Sequence, residues 1–279
     1  MRPAGFFSII RPLNSFVAGL AAIVAYLIAT GTIVFGVLLL MAVVVLITAA
    51  GNVINDYYDA EIDKINRPER PIPSGAVGRD AACVYAGLLF CAGILLAGFT
   101  SPLCCGIAVF NSLLLVAYAA RLKSTPFFGN AAVSYLSASI FLFGGAFAGW
   151  TGFVHMLPVA AITFLAMLSR EILKDAEDIE GDRAGGADTL PIRIGVKKSA
   201  LLAFVFALAA VTASAVPYLW WGTWYLFGIA IVDLVILAAA ARALPCTDPD
   251  TLRATGATGL LKYGMFASLV IFTLSAVLL

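Results

Sequence analysis

Along this chain apolar residues come in long unbroken runs and not in the alternating pattern of a strand. A helix that crosses a hydrocarbon core of about 30 Å needs roughly 20 apolar residues. Nine apolar runs with at most one charged residue each approach that length: Leu13 to Thr30, Ile33 to Ile54, Ala81 to Phe99, Pro102 to Ala120, Ala131 to Trp150, Phe153 to Ser169, Ser199 to Leu219, Gly222 to Ala241, and Gly259 to Leu279. They predict an all-α, polytopic membrane protein, a bundle of nine transmembrane helices within a single domain over residues 1–279. Continuous runs exclude a closed β-barrel. The first run reads as a retained helix and not a cleaved signal peptide, because Arg11, Pro12 and Asn14 interrupt its entry.

The basic residues test this map, since lysine and arginine concentrate in cytoplasmic loops. Arg2 and Arg11 precede the first run; Lys64, Arg67, Arg70 and Arg79 follow the second; Arg121 and Lys123 follow the fourth. Arg170, Lys174, Arg183, Arg193, Lys197 and Lys198 flank the loop after the sixth, and Arg242, Arg253 and Lys262 flank the loop after the eighth. All 17 fall on one face, and the opposite loops are short and uncharged. The expected arrangement is a cell-membrane protein with its N-terminus cytoplasmic, its C-terminus outside and its chemistry at the cytoplasmic mouth.

Composition narrows the chemistry. Hydrophobic residues make up 62% and charged ones 12%, with a net charge of +1, so no basic surplus exists to neutralise a nucleic-acid backbone. Five cysteines without a paired CxxC spacing, and the lone His155, leave neither a zinc site nor a disulfide scaffold.

Two acidic segments remain. After the second run the chain reads Gly51-Asn-Val-Ile-Asn-Asp-Tyr-Tyr-Asp-Ala-Glu-Ile-Asp63. At about 100° per residue, Asn52, Asn55, Asp59 and Asp63 fall within roughly 80° of one another. After the sixth run, Glu171, Asp175, Asp178 and Asp182 occupy a narrower arc by the same arithmetic. Carboxylates stacked this way repel unless a cation sits among them. Oxygen ligands without His or Cys select hard ions, and Mg²⁺ prefers a few carboxylates plus substrate phosphates. The expected metal ligands are Asn55, Asp59, Asp63, Asp175, Asp178 and Asp182, with a diphosphate as the implied substrate. Asp59 to Asp178 and Asp63 to Asp182 are both 119 residues apart, which hints at an internal duplication of four helices.

Cations suited to phosphate lie nearby. Prolines stiffen the loop Lys64-Ile-Asn-Arg-Pro-Glu-Arg-Pro-Ile-Pro-Ser-Gly75 that presents Arg67 and Arg70. Lys123 after the fourth run fits either a phosphate ligand or a snorkelling anchor. Arg11 and Asn14 at the first entry are further candidates for substrate binding, as is Lys174. Tyr118 suits a place beside the reacting carbon, where its ring face stabilises a cation, or an ordinary interfacial position. Asp233, within the eighth run, has Lys262 in the ninth as its expected structural partner. His155 is assigned no chemistry.

Asn55-Asp-Tyr-Tyr-Asp-Ala-Glu-Ile-Asp63 and Asp178-Ile-Glu-Gly-Asp182 resemble the two aspartate-rich motifs of the UbiA superfamily of intramembrane prenyltransferases. The resemblance extends to Arg11-Pro-Leu-Asn14 and to Tyr118–Lys123 followed by Gly129-Asn130. It implies nine helices around a cavity, Mg²⁺ on both motifs, and transfer of the chain of a polyprenyl diphosphate to a membrane-embedded acceptor, with Asp59, Asp63, Asp178, Asp182 and Tyr118 serving catalysis. The segments Ile65–Gly75 and Arg170–Asp182, with Thr189-Leu-Pro-Ile192, are similar to superfamily members that build archaeal ether lipids. That likeness implies geranylgeranyl transfer to the free hydroxyl of geranylgeranylglyceryl phosphate, whose own phosphate has Lys64, Lys174, Arg183 and Arg193 available besides Arg67 and Arg70. A quinone precursor or a chlorophyllide is the alternative acceptor. An ion-coupled transporter is the alternative of another class, disfavoured because its coupling groups belong near the midplane and these acids sit at one mouth.

Overall fold

The structure, a computed structural model, describes residues 3–279; Arg2, counted above on the basic face, lies outside the described residues. The elements are α1 (Pro3–Ile9), α2 (Pro12–Thr30), α3 (Val37–Tyr58), α4 (Ala60–Asn66), α5 (Arg79–Ala97), α6 (Pro102–Ala120), a 3-10 turn (Leu122–Ser124), α7 (Phe128–Phe147), α8 (Trp150–Glu177), α9 (Ile179–Ala184), α10 (Leu190–Ile194), α11 (Val196–Ala213), α12 (Tyr218–Ala243), α13 (Pro249–Ala254) and α14 (Ala257–Leu278). No strand occurs among the described residues. Nine helices, α2, α3, α5, α6, α7, α8, α11, α12 and α14, are long and apolar enough to cross a membrane, as the nine runs predict. The protein is a multi-pass membrane protein, and large apolar side chains such as Leu88, Leu95, Phe110, Phe227 and Ile231 lie exposed on these helices, as a lipid solvent allows.

Two boundaries differ most from the runs in the sequence. The sixth run stops at Ser169, where charge begins, yet α8 continues to Glu177 because its charged side chains pair along the helix itself. The seventh run extends to Leu219, whereas α11 ends at Ala213, ahead of turns that lead to Pro217. Gly222 then kinks the start of α12 with φ +68°, a conformation open to glycine at little cost.

The described chain forms two compact units. The first holds residues 3–26, 33–121 and 143–153, and α3 is its centre, packed on α5 and α6. Leu40, Val43, Ala50 and Val53 are fully buried at helical spacing along α3. Small residues let the backbones approach: a Cβ on Gly93 would stand 2.8 Å from Ile47, and one on Gly51 3.0 Å from Leu115. Phe6 of α1 meets Tyr85 of α5 edge to face at 5.3 Å.

The second unit holds residues 27–32, 122–142 and 154–279, with α12 packed on α11 and α14. Ala203, Ala207 and Ala210 give α11 a buried stripe of small residues, and Gly264 of α14 leaves room for Ile236. Asp233 does not pair with Lys262 here. Its Oδ2 accepts a 2.6 Å hydrogen bond from Ser214 at the end of α11, and Lys262 is exposed. A short hydroxyl one helix away satisfies the carboxylate without bringing a second charge out of water. His155 stacks on Trp220 at 5.6 Å.

Candidate active site

In the first unit the acidic segment is not one continuous helix. α3 ends at Tyr58, Asp59 stands at the junction with φ −83° and ψ 0°, and α4 begins at Ala60. Asn55 Nδ2 donates to Asp59 Oδ2 at 2.9 Å, so the amide orients the carboxylate at the break. Asp56, buried at 3% exposure, is the hub that the sequence reading passed over: its Oδ1 accepts from Arg11 at 2.6 Å and from Arg70 at 3.2 Å. Arg70 also donates to Asp63 Oδ2 at 2.6 Å, so two buried carboxylates share one guanidinium. Asp56 and Asp63 are seven residues apart, about 20° on an ideal helix, and that spacing was the signal available.

Asn52 serves the scaffold. Its Nδ2 donates to the Ile10 carbonyl at 3.1 Å and to Ser15 Oγ at 3.3 Å. These bonds and the Arg11–Asp56 pair hold the corner between α1 and α2, where Arg11 takes φ +48°, an uncommon conformation for a residue with a Cβ. In the proline-rich loop, successive turns run from Arg67 O to Arg70 N and from Pro71 O to Val77 N, which fixes Arg70 inward and leaves Arg67 exposed. Asn14 is exposed on the first turn of α2, and Tyr118 is half-buried near the end of α6.

The second unit repeats the device. α8 ends at Glu177, Asp178 interrupts with φ −116° and ψ 25°, and α9 follows. Asp175 Oδ2 accepts a 2.7 Å bond from Asn130 of α7, a partner in the second motif that the acidic pattern alone does not reveal. Gly181 faces the Asp178 carboxylate so closely that a Cβ would stand 2.5 Å from Oδ1. Asp182 Oδ2 is buried and has no hydrogen-bond partner among the described residues. Burial pushes the Asp182 carboxyl above its ordinary range, the nearby Thr189 hydroxyl opposes this, and Asp178 adds to it. Glu177 turns to a different task, accepting from Thr258 of α14 at 3.0 Å while Arg253 of α13 donates to the Glu177 carbonyl at 2.5 Å. Lys123 is half-buried in the 3-10 turn, which a Cβ on Gly129 would crowd at 2.8 Å.

Among the described residues no three acidic, His or Cys side chains converge as a ready-made cage. That arrangement fits Mg²⁺, which keeps waters and substrate phosphates as ligands and takes only one or two carboxylates from each protein element. The orphaned Asp182 oxygen, the amide-oriented Asp59 and two acidic segments that contain no His or Cys fit the same ion. Of the cations expected to meet phosphate, Arg11 and Arg70 are tied to carboxylates, Lys64 pairs with Glu61 at 2.8 Å, Arg193 with Asp188, and Lys174 lies 3.7 Å from Glu171. Arg67 makes no ion pair among the described residues and is available to a ligand.

Gly181→Ala displaces the flexible end of the Asp178 side chain, so we expect activity at limiting Mg²⁺ to fall about tenfold or more while thermal unfolding stays at the wild-type temperature. A Mg²⁺ titration of the rate checks this, and an unchanged titration curve contradicts it.

Acidic breaks at the ends of membrane helices, with guanidinium groups fixed beside them, suit an enzyme that works on a phosphorylated lipid. The chain matches the model of the UbiA prenyltransferase family over residues 17–270 and belongs to that family; it is a prenyltransferase. It is 74% identical over 275 residues to the digeranylgeranylglyceryl phosphate synthase of Methanoregula boonei, covering 99% of both chains. It is 55% identical to the synthase of that name from Methanoculleus marisnigri, over the full length of both. A solved structure concerning digeranylgeranylglyceryl phosphate synthase in membranes superposes with a TM-score of 0.91 at 36% identity, covering 99% of each chain. A UbiA homolog from Archaeoglobus fulgidus bound to GPP and Mg²⁺ shares the fold, with a TM-score of 0.64 at 14% identity over 95% of this chain and 99% of that one.

Proposed function

We propose that the protein transfers a geranylgeranyl group from its diphosphate to geranylgeranylglyceryl phosphate in a Mg²⁺-dependent reaction, forming the second ether of archaeal membrane lipids. The observation that carries this reading is the end-to-end likeness to relatives named for that synthesis. The whole chain acts as one catalytic domain in the cell membrane, with the N-terminus and the basic loops on the cytoplasmic side, as the distribution of lysine and arginine supports.

In this mechanism Asn55, Asp59 and Asp63 at the first break, and Asp175, Asp178 and Asp182 at the second, would hold Mg²⁺, which when bound would supply positive charge for the leaving diphosphate. Arg67 and Lys123 take phosphate oxygens, and Arg70, fixed by Asp56 and Asp63, presents its guanidinium without reorganising. Arg11, Asn14 and Lys174 complete the substrate-binding set. The allylic carbon–oxygen bond breaks, the acceptor hydroxyl bonds to that carbon, and the hydroxyl proton leaves with the diphosphate. Water must be kept from the allylic cation, so the reacting carbon belongs on the apolar side of the diphosphate. Tyr118 lies beside that carbon in this reading, its ring face toward the cation. Tyr118→Ala is then expected to slow transfer about tenfold and to raise the share of diphosphate lost to hydrolysis, with Tyr118→Phe close to wild type. Wild-type rate and partition in the alanine variant remove the role.

The acceptor is tested by competition. Purified protein given geranylgeranyl diphosphate and Mg²⁺ prenylates geranylgeranylglyceryl phosphate ahead of hydroxybenzoate, dihydroxynaphthoate or chlorophyllide. A clear preference for an aromatic or tetrapyrrole acceptor overturns the acceptor and leaves prenyl transfer standing.

A further inference from the structure

On α8, just before the second acidic motif, lies a charged cluster that neither the metal ligands nor the diphosphate chemistry fully employs. Glu171 is buried at 8% exposure; Arg170 Nη1 stands 2.6 Å from its Oε1 and Lys174 Nζ 3.7 Å from its Oε2. Arg170 and Lys174 share this one buried carboxylate, while Glu177 also lies within reach of the Arg170 charge and Asp175 and Asp182 within reach of Lys174. The cluster also has spare hydrogen-bonding groups: Arg170 Nε and the wholly buried Ser169 hydroxyl have no partner among the described residues. A buried guanidinium N–H without an acceptor is unfavourable, and an anion supplies that acceptor.

The depth of the cluster says which anion. Arg170 precedes Asp175 by five residues and Asp178 by eight on the way into the apolar body of α8, about 7 and 12 Å along a helix axis. A diphosphate at the Asp178 break is served there. Its allylic carbon lies on the apolar side, so the attacking hydroxyl must lie on that side too. On a glycerol phosphate the carbon next to the hydroxyl-bearing one carries the phosphate. We propose that Arg170, with Ser169 and Lys174, binds the phosphate of the acceptor and thereby selects a phosphorylated glycerol lipid. The proposal rests on the acceptor reading above and assigns its headgroup a place.

The test compares geranylgeranylglyceryl phosphate with geranylgeranylglycerol, which lacks the phosphate, at saturating geranylgeranyl diphosphate and Mg²⁺. Wild type prefers the phosphorylated acceptor. Arg170→Gln raises the KM for that acceptor about 10- to 100-fold, the range expected for a lost charge-assisted hydrogen bond, and erases the preference. The KM for geranylgeranyl diphosphate stays at the wild-type value, Ser169→Ala gives a smaller change in the same direction, and Arg170→Lys recovers part of the preference. Because Arg170 also neutralises Glu171, a second readout is needed that depends on no variant: glycerol 1-phosphate titrated into wild-type protein competes with the phosphorylated acceptor, whereas glycerol at the same concentration does not. A preference kept in Arg170→Gln, a KM for the diphosphate that rises in step, or glycerol 1-phosphate that fails to compete overturns the proposal. Failure of the acceptor reading itself shows in wild type alone, as preference for an aromatic ring.

Discussion

Asp59→Ala and Asp178→Ala each lower prenyl transfer about a thousandfold, with the protein still folded and in the membrane. The two residues occupy equivalent places: each stands where a long membrane helix stops and a short one begins, 119 residues apart, each four residues before a second aspartate. Asp59 stands at a helix junction, where it accepts from its neighbour Asn55, and Asp178 is an exposed junction residue, so neither fills the packed interior of its unit. Their removal therefore costs metal binding, and through it the stabilisation of the leaving diphosphate, and costs little of the packing around α3 or α8. Single-turnover rates, with circular dichroism or size-exclusion profiles in detergent, separate the two effects. Wild-type turnover in either variant contradicts the assignment.

Arg70→Leu acts on the scaffold as strongly as Asp178→Ala acts on chemistry. Arg70 is the partner of Asp63, whose side chain is 7% exposed, and shares Asp56 with Arg11. Without it Asp63 is a buried carboxylate that must find water or a proton, a penalty of about 3 kcal/mol by analogy with other broken buried pairs. The expected results are a lower unfolding temperature in detergent and loss of activity together. Arg67→Leu, at an exposed position in the same loop, weakens diphosphate binding and leaves the unfolding temperature where it was. Equal stability of the two variants contradicts the hub at Asp56.

The sequence displayed the membrane helices plainly because a lipid-spanning segment must be long and predominantly apolar, and among the described residues nine helices meet both conditions. It displayed the acidic motifs for the complementary reason, since unpaired carboxylates beside a bilayer are costly without a task. It did not display the breaks at Asp59 and Asp178. Helical arithmetic treats each motif as one cylinder, so Asn52 falls on the same stripe as Asn55 and Asp59 although its amide holds the α1–α2 corner. Asp56 lay beside that stripe and was passed over, because its partners Arg11 and Arg70 come from two separate loops and only the fold brings them together. Asn130 as the partner of Asp175, and Ser214 as the partner of Asp233 in place of Lys262, are uncharged side chains from other helices, which periodicity cannot assign.

The most direct measurement follows a label from the reacting carbon of geranylgeranyl diphosphate in vesicles containing the purified protein. The account predicts labelled digeranylgeranylglyceryl phosphate with one diphosphate released per ether formed, requiring both Mg²⁺ and geranylgeranylglyceryl phosphate. Label that crosses the membrane without forming a bond, or that is transferred equally well after Mg²⁺ is chelated, would contradict it.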